Sequence, residues 1–292
     1  MTAIVIIPAR YDSTRFPGKP LAPLNGKPLI QHVYENSKKS KLAKDVIVAT
    51  DSGKIFKAVN EFGGKAVMTA KEHSSGTDRI AEAVALLDYD IIVNVQGDEP
   101  LIRHEMIDDV ISLLDDKRAS IGTLMKKIEN PEEIFDPNVV KVVCDKEGFA
   151  MYFSRAPIPF DRDEWKVKSV ELKVTNEELK SRFEFQTFNK ETVNRGIGKS
   201  GNRKGKKSFH PFTHSPIHLF YKHLGLYSYR RAALLNFAKM EPVELEQIEK
   251  LEQLRALVNG LKIKVKETFF ETIGVDTPQD LERVKEWLSL SS

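Results

Sequence analysis

The chain has 292 residues, of which 41% are apolar and 30% charged. That composition is too apolar for wholesale disorder, and at ~150 residues per domain it suggests about two domains, or one large domain with an appendage. With 45 basic and 42 acidic residues the net charge is +3, which demands neither nucleic acid nor an anionic membrane as main partner. No apolar run approaches the ~20 residues of a bilayer span, and the Met1–Pro8 segment lacks the basic leader of a signal peptide. A lone Cys144 excludes an intramolecular disulfide framework and a cysteine-based zinc site, so a soluble cytoplasmic protein is expected.

In chain order, residues 3–8 are a short apolar run, the mark of a buried parallel strand. A polar stretch from Arg10 to Lys27 follows, then a helical pattern over 28–36 with Pro28 near its first turn. Strands are predicted at 45–50, 65–69 and 90–95, and helices at 54–62 (stopped by Gly63-Gly64), 77–87 and 104–114. This alternation implies a doubly wound, mostly parallel α/β sheet, in which ligands sit beyond the carboxyl ends of the strands. From about 119 the pattern changes. Residues 120–127, 139–145, 149–153 and 223–229 read as strands, with a hairpin at Lys146-Glu147-Gly148. Helices are predicted at 231–239 and 244–258, a strand at 262–267 and a last helix over 278–288, with Thr277 as N-cap, Pro278 at the first position and Asp280 at the third. The segment Arg195–Lys207 holds six basic residues, four glycines and no acid, and reads as an unstructured arm.

Three clusters carry chemistry. In the first, Arg10, Arg15 and Lys19 lie with Ser13 and Gly18 in a turn after the first strand. Cations and backbone N–H groups in such a turn suit a polyphosphate, and they equally suit an exposed basic loop. The Walker A ending and the Gly-x-Gly-x-x-Gly turn are both absent. The second cluster is Gln96-Gly97-Asp98-Glu99, past a buried strand, where a carboxylate can hold Mg²⁺, with Asp276 as a second oxygen donor. Taken singly, Asp98 also suits a turn and Asp276 a helix cap. The third cluster is Ser75-Gly76-Thr77-Asp78-Arg79, a helix start that can present N–H groups to an anion or simply cap the helix.

Together these segments closely resemble the 3-deoxy-D-manno-octulosonate (Kdo) cytidylyltransferase family, the CMP-Kdo synthetases. The matching pieces are Ile6–Tyr11, Ser13–Arg15, Pro17–Pro20, Ile47–Asp51, Ser75–Arg79, Val93–Pro100, Tyr152–Ala156 with Ile158-Pro159, His223–Gly225, Leu251–Arg255 and Gly274–Pro278. The resemblance implies a nucleotidyltransferase-type α/β domain (1–145 and 231–292) and a smaller β-rich sugar-binding and dimerisation lobe (146–230), in which this sequence departs from the family by a basic insertion at about 164–216. It implies a homodimer that converts CTP and Kdo to CMP-Kdo and pyrophosphate for lipopolysaccharide synthesis, with Mg²⁺ as cofactor. Asp98 and Asp276 would bind the metal and, with Arg10 and Lys19, form the catalytic set. Ser13, Arg15, Ser75, Gly76, Thr77, Arg79 and Gln96 would join Arg10 and Lys19 around CTP. Gln96, Arg155, His223, Glu252 and Gln253 would line the sugar-acid pocket. The stretch between Asp163 and His223 is longer than the family pattern leads one to expect, which leaves open an 8-amino-Kdo or other nonulosonic acid as acceptor. A catalytically silent nucleotide-binding protein is the alternative of a different class, and the presence of both aspartates speaks against it.

The remaining features carry less. His210, His214 and His218 recur every four residues, but Pro211 and Pro216 interrupt any helix that would align them on a metal. Cys144 reads as a small buried hydrophobe, and Lys166–Lys173 as a charged edge whose sparse aromatics do not suit RNA stacking.

Overall fold

The computed structural model describes residues 1–12, 15–73, 75–85, 87–161 and 220–290. The arm at 195–207, the histidine series and Lys166–Lys173 fall outside them. The chain divides into two units, Met1–Pro159 with Pro216–Ser292, and Phe160–Ser215. The account below concerns the first.

In chain order the elements are β1 (Ala3–Ala9), β2 (Pro23–Leu24), β3 (Lys27–Pro28), α1 (Leu29–Ser37), β4 (Ala43–Thr50), α2 (Gly53–Glu61), β5 (Ala66–Met68), α3 (Gly76–Val84), β6 (Ile91–Asn94) and α4 (His104–Ser112). There follow β7 (Ile121–Lys127), α5 (Glu132–Phe135), β8 (Lys141–Cys144), β9 (Ala150–Ser154), β10 (Tyr221–Arg230), α6 (Arg231–Phe237), α7 (Glu244–Glu249), α8 (Gln253–Val258), β11 (Ile263–Glu267) and α9 (Pro278–Leu290). The main sheet runs β11-β7-β10-β6-β1-β4-β5. The pairs β6–β1, β1–β4, β4–β5 and β7–β11 are parallel, while β10 lies antiparallel to both β6 and β7.

β1 shows why the sheet must be covered on both faces. Ala3, Val5 and Ile7 enter one core with Leu29, Ile30 and Val33 of α1 and Met106, Ile107 and Val110 of α4. Ile4 and Ile6 enter the other with Ile80 and Val84 of α3 and Leu234 and Phe237 of α6. Period-two alternation sends successive side chains to opposite faces, so a continuously apolar strand has water on neither side. The chain leaves β1 between β4 and β6, the place where open α/β sheets receive ligands.

The sheet runs across the divisions expected at 145/146 and 230/231. β10 hydrogen-bonds into the centre of the sheet and buries Leu224, Leu226 and Tyr229 there, and β9 is joined to it through β8. The single helix expected over 244–258 is two. Lys250 takes the left-handed conformation (φ 54) that ends α7, and the buried Leu251 follows. The last helix begins as predicted: the Asp280 N–H donates to Thr277 Oγ1 at 3.2 Å while the Thr277 N–H donates to Asp280 Oδ2 at 2.9 Å.

Lys141 of β8 is fully buried, and its Nζ donates to the carbonyls of Asp136, Val139 and Arg155 at 2.9, 2.6 and 2.6 Å. Replacing it by Met keeps the stem and orphans three acceptors, each worth ~1 kcal/mol or more. Lys141→Met is expected to lose about 3 kcal/mol in urea unfolding, and a loss below about 1 kcal/mol would mean that the carbonyls find other donors.

Candidate functional site

Gly18 shapes the loop after β1. Its φ of 72 needs the missing side chain, and its N–H donates to the Tyr11 carbonyl at 2.9 Å. The turn Lys19–Leu21 follows, with Pro20 buried. This folds the loop back on itself and directs Lys19 inward. Lys19 Nζ lies 2.6 Å from Asp98 Oδ2 and 3.2 Å from Asp276 Oδ1, with its side chain 13% exposed. Arg15 Nη1 lies 3.1 Å from Asp276 Oδ2. The Val275 N–H donates to the Asp98 carbonyl at 2.9 Å, so the backbones of the two carboxylate loops are tied together. Two aspartates 178 residues apart (276 − 98) therefore converge on one point after β6, as the sequence reading requires.

The point where they converge already holds a cation, the Lys19 ammonium. Among the described residues no group of three or more His, Cys, Asp or Glu side chains gathers into a cage. Two carboxylates and no third ligand are what Mg²⁺ uses when substrate phosphates and water complete its shell. Beside them, burial pushes the Glu99 carboxyl up to about 7, with the Asp98 charge adding to the effect.

The second part of the site is a cavity of about 140 Å³ lined by Gly76 and Thr77 of α3, Asn94, Gln96, Ile121, Tyr227, Tyr229, Phe237, Glu252 and Gln253. Gln96 lies two residues before Asp98, so the Gln96–Asp98 loop serves both the cavity and the carboxylate pair. Arg10 lies nearer the α3 turn, its Nη2 donating to the His73 carbonyl at 2.6 Å.

Some expected contacts are committed elsewhere. Arg79 is fully buried; its Nη2 pairs with Asp51 Oδ2 at 2.6 Å, and its Nη1 donates to Thr69 Oγ1. It anchors the loop that carries His73 and has no free donor fork for CTP. Ser75 closes a capping box with Asp78: its Oγ accepts from the Asp78 N–H and its own N–H donates to Asp78 Oδ2, each at 3.1 Å, so both its side chain and its N–H are committed. Thr77 Oγ1 donates to Glu252 Oε2 at 2.6 Å and is spent on the cavity wall. Arg155 is held by the carbonyls of Glu249 (2.7 Å) and Pro137 (2.8 Å) and does not line the cavity. Ser13 lies outside the described residues.

His223 contacts the cavity wall without forming it. Its ring packs on Phe153 at 5.0 Å and on Tyr227 at 5.3 Å between centroids. Burial pushes its imidazole down to about 3. Thr123 Oγ1 donates to the Leu226 carbonyl at 2.8 Å, so His223 Nε2, 3.0 Å away, is the donor to that oxygen and the ring is the neutral Nε2–H form. Cys144 is half-buried rather than buried as expected, and burial pushes its thiol up to about 11, which keeps it un-ionised.

Tyr227, Tyr229, Asn94 and Phe237 were not singled out from sequence. The tyrosines follow His223 at even spacing along one strand, a signal of a shared face. The alternation survives the irregularity between Leu224 and Tyr227, where β10 shifts register against β7 by two residues, an even number that keeps the faces in phase.

Residues 4–263 match the family model described as Cytidylyltransferase. The chain is 46% identical over 300 residues to a protein of Thermodesulfovibrio yellowstonii named 3-deoxy-manno-octulosonate cytidylyltransferase, covering 100% of both chains. It is 50% identical over 289 residues to one of the same name from Geotalea uraniireducens, covering 99% of each. A solved structure of CMP:2-keto-3-deoxy-manno-octonic acid synthetase complexed with CTP is 35% identical, with a TM-score of 0.79 and 100% coverage of both chains. The fold alone is shared with 4-diphosphocytidyl-2C-methyl-D-erythritol synthase from Anaerococcus prevotii, at 12% identity and a TM-score of 0.54.

Proposed function

This chain belongs to the 3-deoxy-manno-octulosonate cytidylyltransferases, and from that premise we propose how its carboxylate pair and cavity divide the reaction between them. The enzyme transfers the cytidylyl group of CTP to Kdo, giving CMP-Kdo and pyrophosphate. The anomeric hydroxyl oxygen of Kdo forms the new bond to the α-phosphorus, the bridging α–β P–O bond breaks, and the hydroxyl proton is released.

The observation that carries the assignment is the convergence of Asp98 and Asp276 on one cation position beside a polar cavity. The two carboxylates would hold Mg²⁺, which when bound would supply Lewis-acid charge at the CTP phosphates. Lys19 and Arg15, on the same carboxylates, and Arg10, beside the α3 turn, supply cations to the triphosphate and to the charge that grows on departing pyrophosphate. The backbone N–H of Gly76 and the Gln96 amide orient the cytidine. Gln96, Gln253 and Glu252, with the Tyr227 hydroxyl, meet the polar face of the sugar acid, and Phe237 and Tyr229 cover its remainder. Direct displacement by the sugar needs no enzyme nucleophile. We further place this chemistry in the cytoplasm, as the activation step for lipopolysaccharide synthesis, and in a homodimer.

The test is pyrophosphate release from CTP with a panel of sugar acids. Kdo is expected to be used best, chelation by EDTA should abolish release, and added Mg²⁺ should restore it. Radiolabel retained on the protein after incubation with α-labelled CTP alone would refute direct displacement.

A further inference from the structure

Glu252 stands on the cavity wall with both carboxylate oxygens held. Thr77 Oγ1 donates to Oε2 at 2.6 Å, and Arg255 Nη2 donates to Oε1 at 3.0 Å. Arg255 is only 7% exposed, and the rest of its guanidinium is engaged as well. Nη1 donates to the Met240 carbonyl at 2.8 Å, Nε lies 3.1 Å from Glu246 Oε2, and the group sits over Phe237, 4.7 Å from the ring centroid. One cation thus fixes two different walls of the cavity, the Glu252 carboxylate and the Phe237 ring. A planar, permanently charged fork suits that task; a flexible point charge does not.

We propose that Arg255 is the positioning residue of the sugar-acid pocket, presenting Glu252 as a fixed hydrogen-bond acceptor to a hydroxyl group of a polyhydroxylated acid, with Thr77 as the second hand on the same carboxylate. The inference rests on the assignment of the cavity to the sugar acid. Thr77, Ser75 and Arg255 together occupy three of the carboxylate's roughly four lone-pair positions, which leaves capacity for one substrate hydroxyl. The arrangement matters because an ionised carboxylate only accepts, whereas a protonated one donates at one oxygen and loses its match to hydroxyl donors.

Burial pushes the Glu252 carboxyl above its ordinary range, and the charge of Asp78 adds to this. Hydrogen bonds from Thr77 and Ser75 and the charge of Arg255 pull it back. The groups facing it are Ser75, Thr77 and Asp78 at the start of α3, Arg255 of α8 (itself paired with Glu246 of α7), and Tyr227 and Tyr229 of β10. Removing Arg255 deletes a lowering influence. Glu252 then takes up its proton at a higher pH, and use of the sugar acid fails at a higher pH than in the wild type.

Steady-state kinetics of the full-length enzyme with CTP and Kdo, across pH, tests this. Arg255→Met is expected to raise KM for Kdo about tenfold, with KM for CTP changed less than about twofold, and to move the acid limb of kcat/KM for Kdo to higher pH. Arg255→Lys should return the limb toward its wild-type position while KM stays raised, because the charge is restored and the fork and its ring contact are not. Thr77→Val should move the same limb in the same direction by at least as much, because its hydrogen bond is the larger of the two lowering influences on Glu252. Unchanged Kdo parameters in both Arg255→Met and Thr77→Val, or equal rises in both KM values with a fixed limb, would overturn the proposal. If Arg255→Met does not fold, Thr77→Val decides alone by the same limb. Wild-type turnover with Kdo separates the two failures: without it the reading of the pocket falls, and with it only the role of Arg255 is at stake.

Discussion

Asp98→Asn should lower kcat by about 10³-fold or more, equivalent to ~4 kcal/mol of transition-state stabilisation, with little change in melting temperature. The substitution keeps the shape of the side chain and leaves an oxygen that can still accept from Lys19 Nζ, now at 2.6 Å from Asp98 Oδ2. What it removes is one of two negative charges facing a cation position. The side chain is 30% exposed, so its ion pair with Lys19 adds little to folding, and the loss falls on chemistry instead. Asp276→Asn should act in the same direction. Because the two carboxylates share one cation and their backbones share the Val275–Asp98 hydrogen bond, the double variant should be little worse than Asp98→Asn alone. Rates from pyrophosphate release and melting curves of the three variants check this. Independent, multiplying losses would mean that the two groups do separate jobs.

That convergence was legible because each aspartate follows a recognisable buried element, β6 in one case and the stretch ending in Val275 in the other, and because Thr277 and Asp280 fix where α9 begins. The two cores were legible for a similar reason. Ile4 to Ile7 are apolar on both parities, which only a sheet covered on both faces can accommodate. The fate of the arginines was not legible. Arg10, Arg15, Arg79 and Arg155 look alike in a sequence, yet Arg79 and Arg155 are committed to Asp51 and to the carbonyls of Glu249 and Pro137, partners 18 to 94 residues away. A guanidinium takes whichever acceptors the tertiary fold leaves unpaired, and that is decided after the local elements have formed. Tyr227 and Tyr229 were hidden differently. Their even spacing from His223 puts them on one face with it, and the two-residue shift ahead of Tyr227 keeps that phase, but nothing in the strand's own sequence says that this face borders a cavity rather than a closed core.

Gly97→Ala should cost about 10²-fold in kcat although the residue touches no reactant. Its φ is not in the left-handed region, so the requirement for glycine is one of space. A Cβ at this position would lie 2.9 Å from the Pro8 carbonyl oxygen, 3.3 Å from Ile30 Cδ1 and 3.6 Å from Ile7 Cγ2. The isoleucine methyl can yield by a few tenths of an ångström. The Pro8 carbonyl belongs to β1, the central strand, paired on one side with β4 and on the other with β6, and it cannot. The loop must therefore move, carrying Gln96 off the cavity wall and Asp98 away from Asp276. A shift of about 1 Å is enough to misalign a displacement that depends on placing two anions against one phosphorus. Crowding a packed site also destabilises by ~1–3 kcal/mol, so the measurement pairs kcat with urea unfolding. A folded Gly97→Ala enzyme with wild-type kcat would mean that the Gln96–Asp98 loop tolerates displacement, and that the spacing of the two carboxylates does not set the rate.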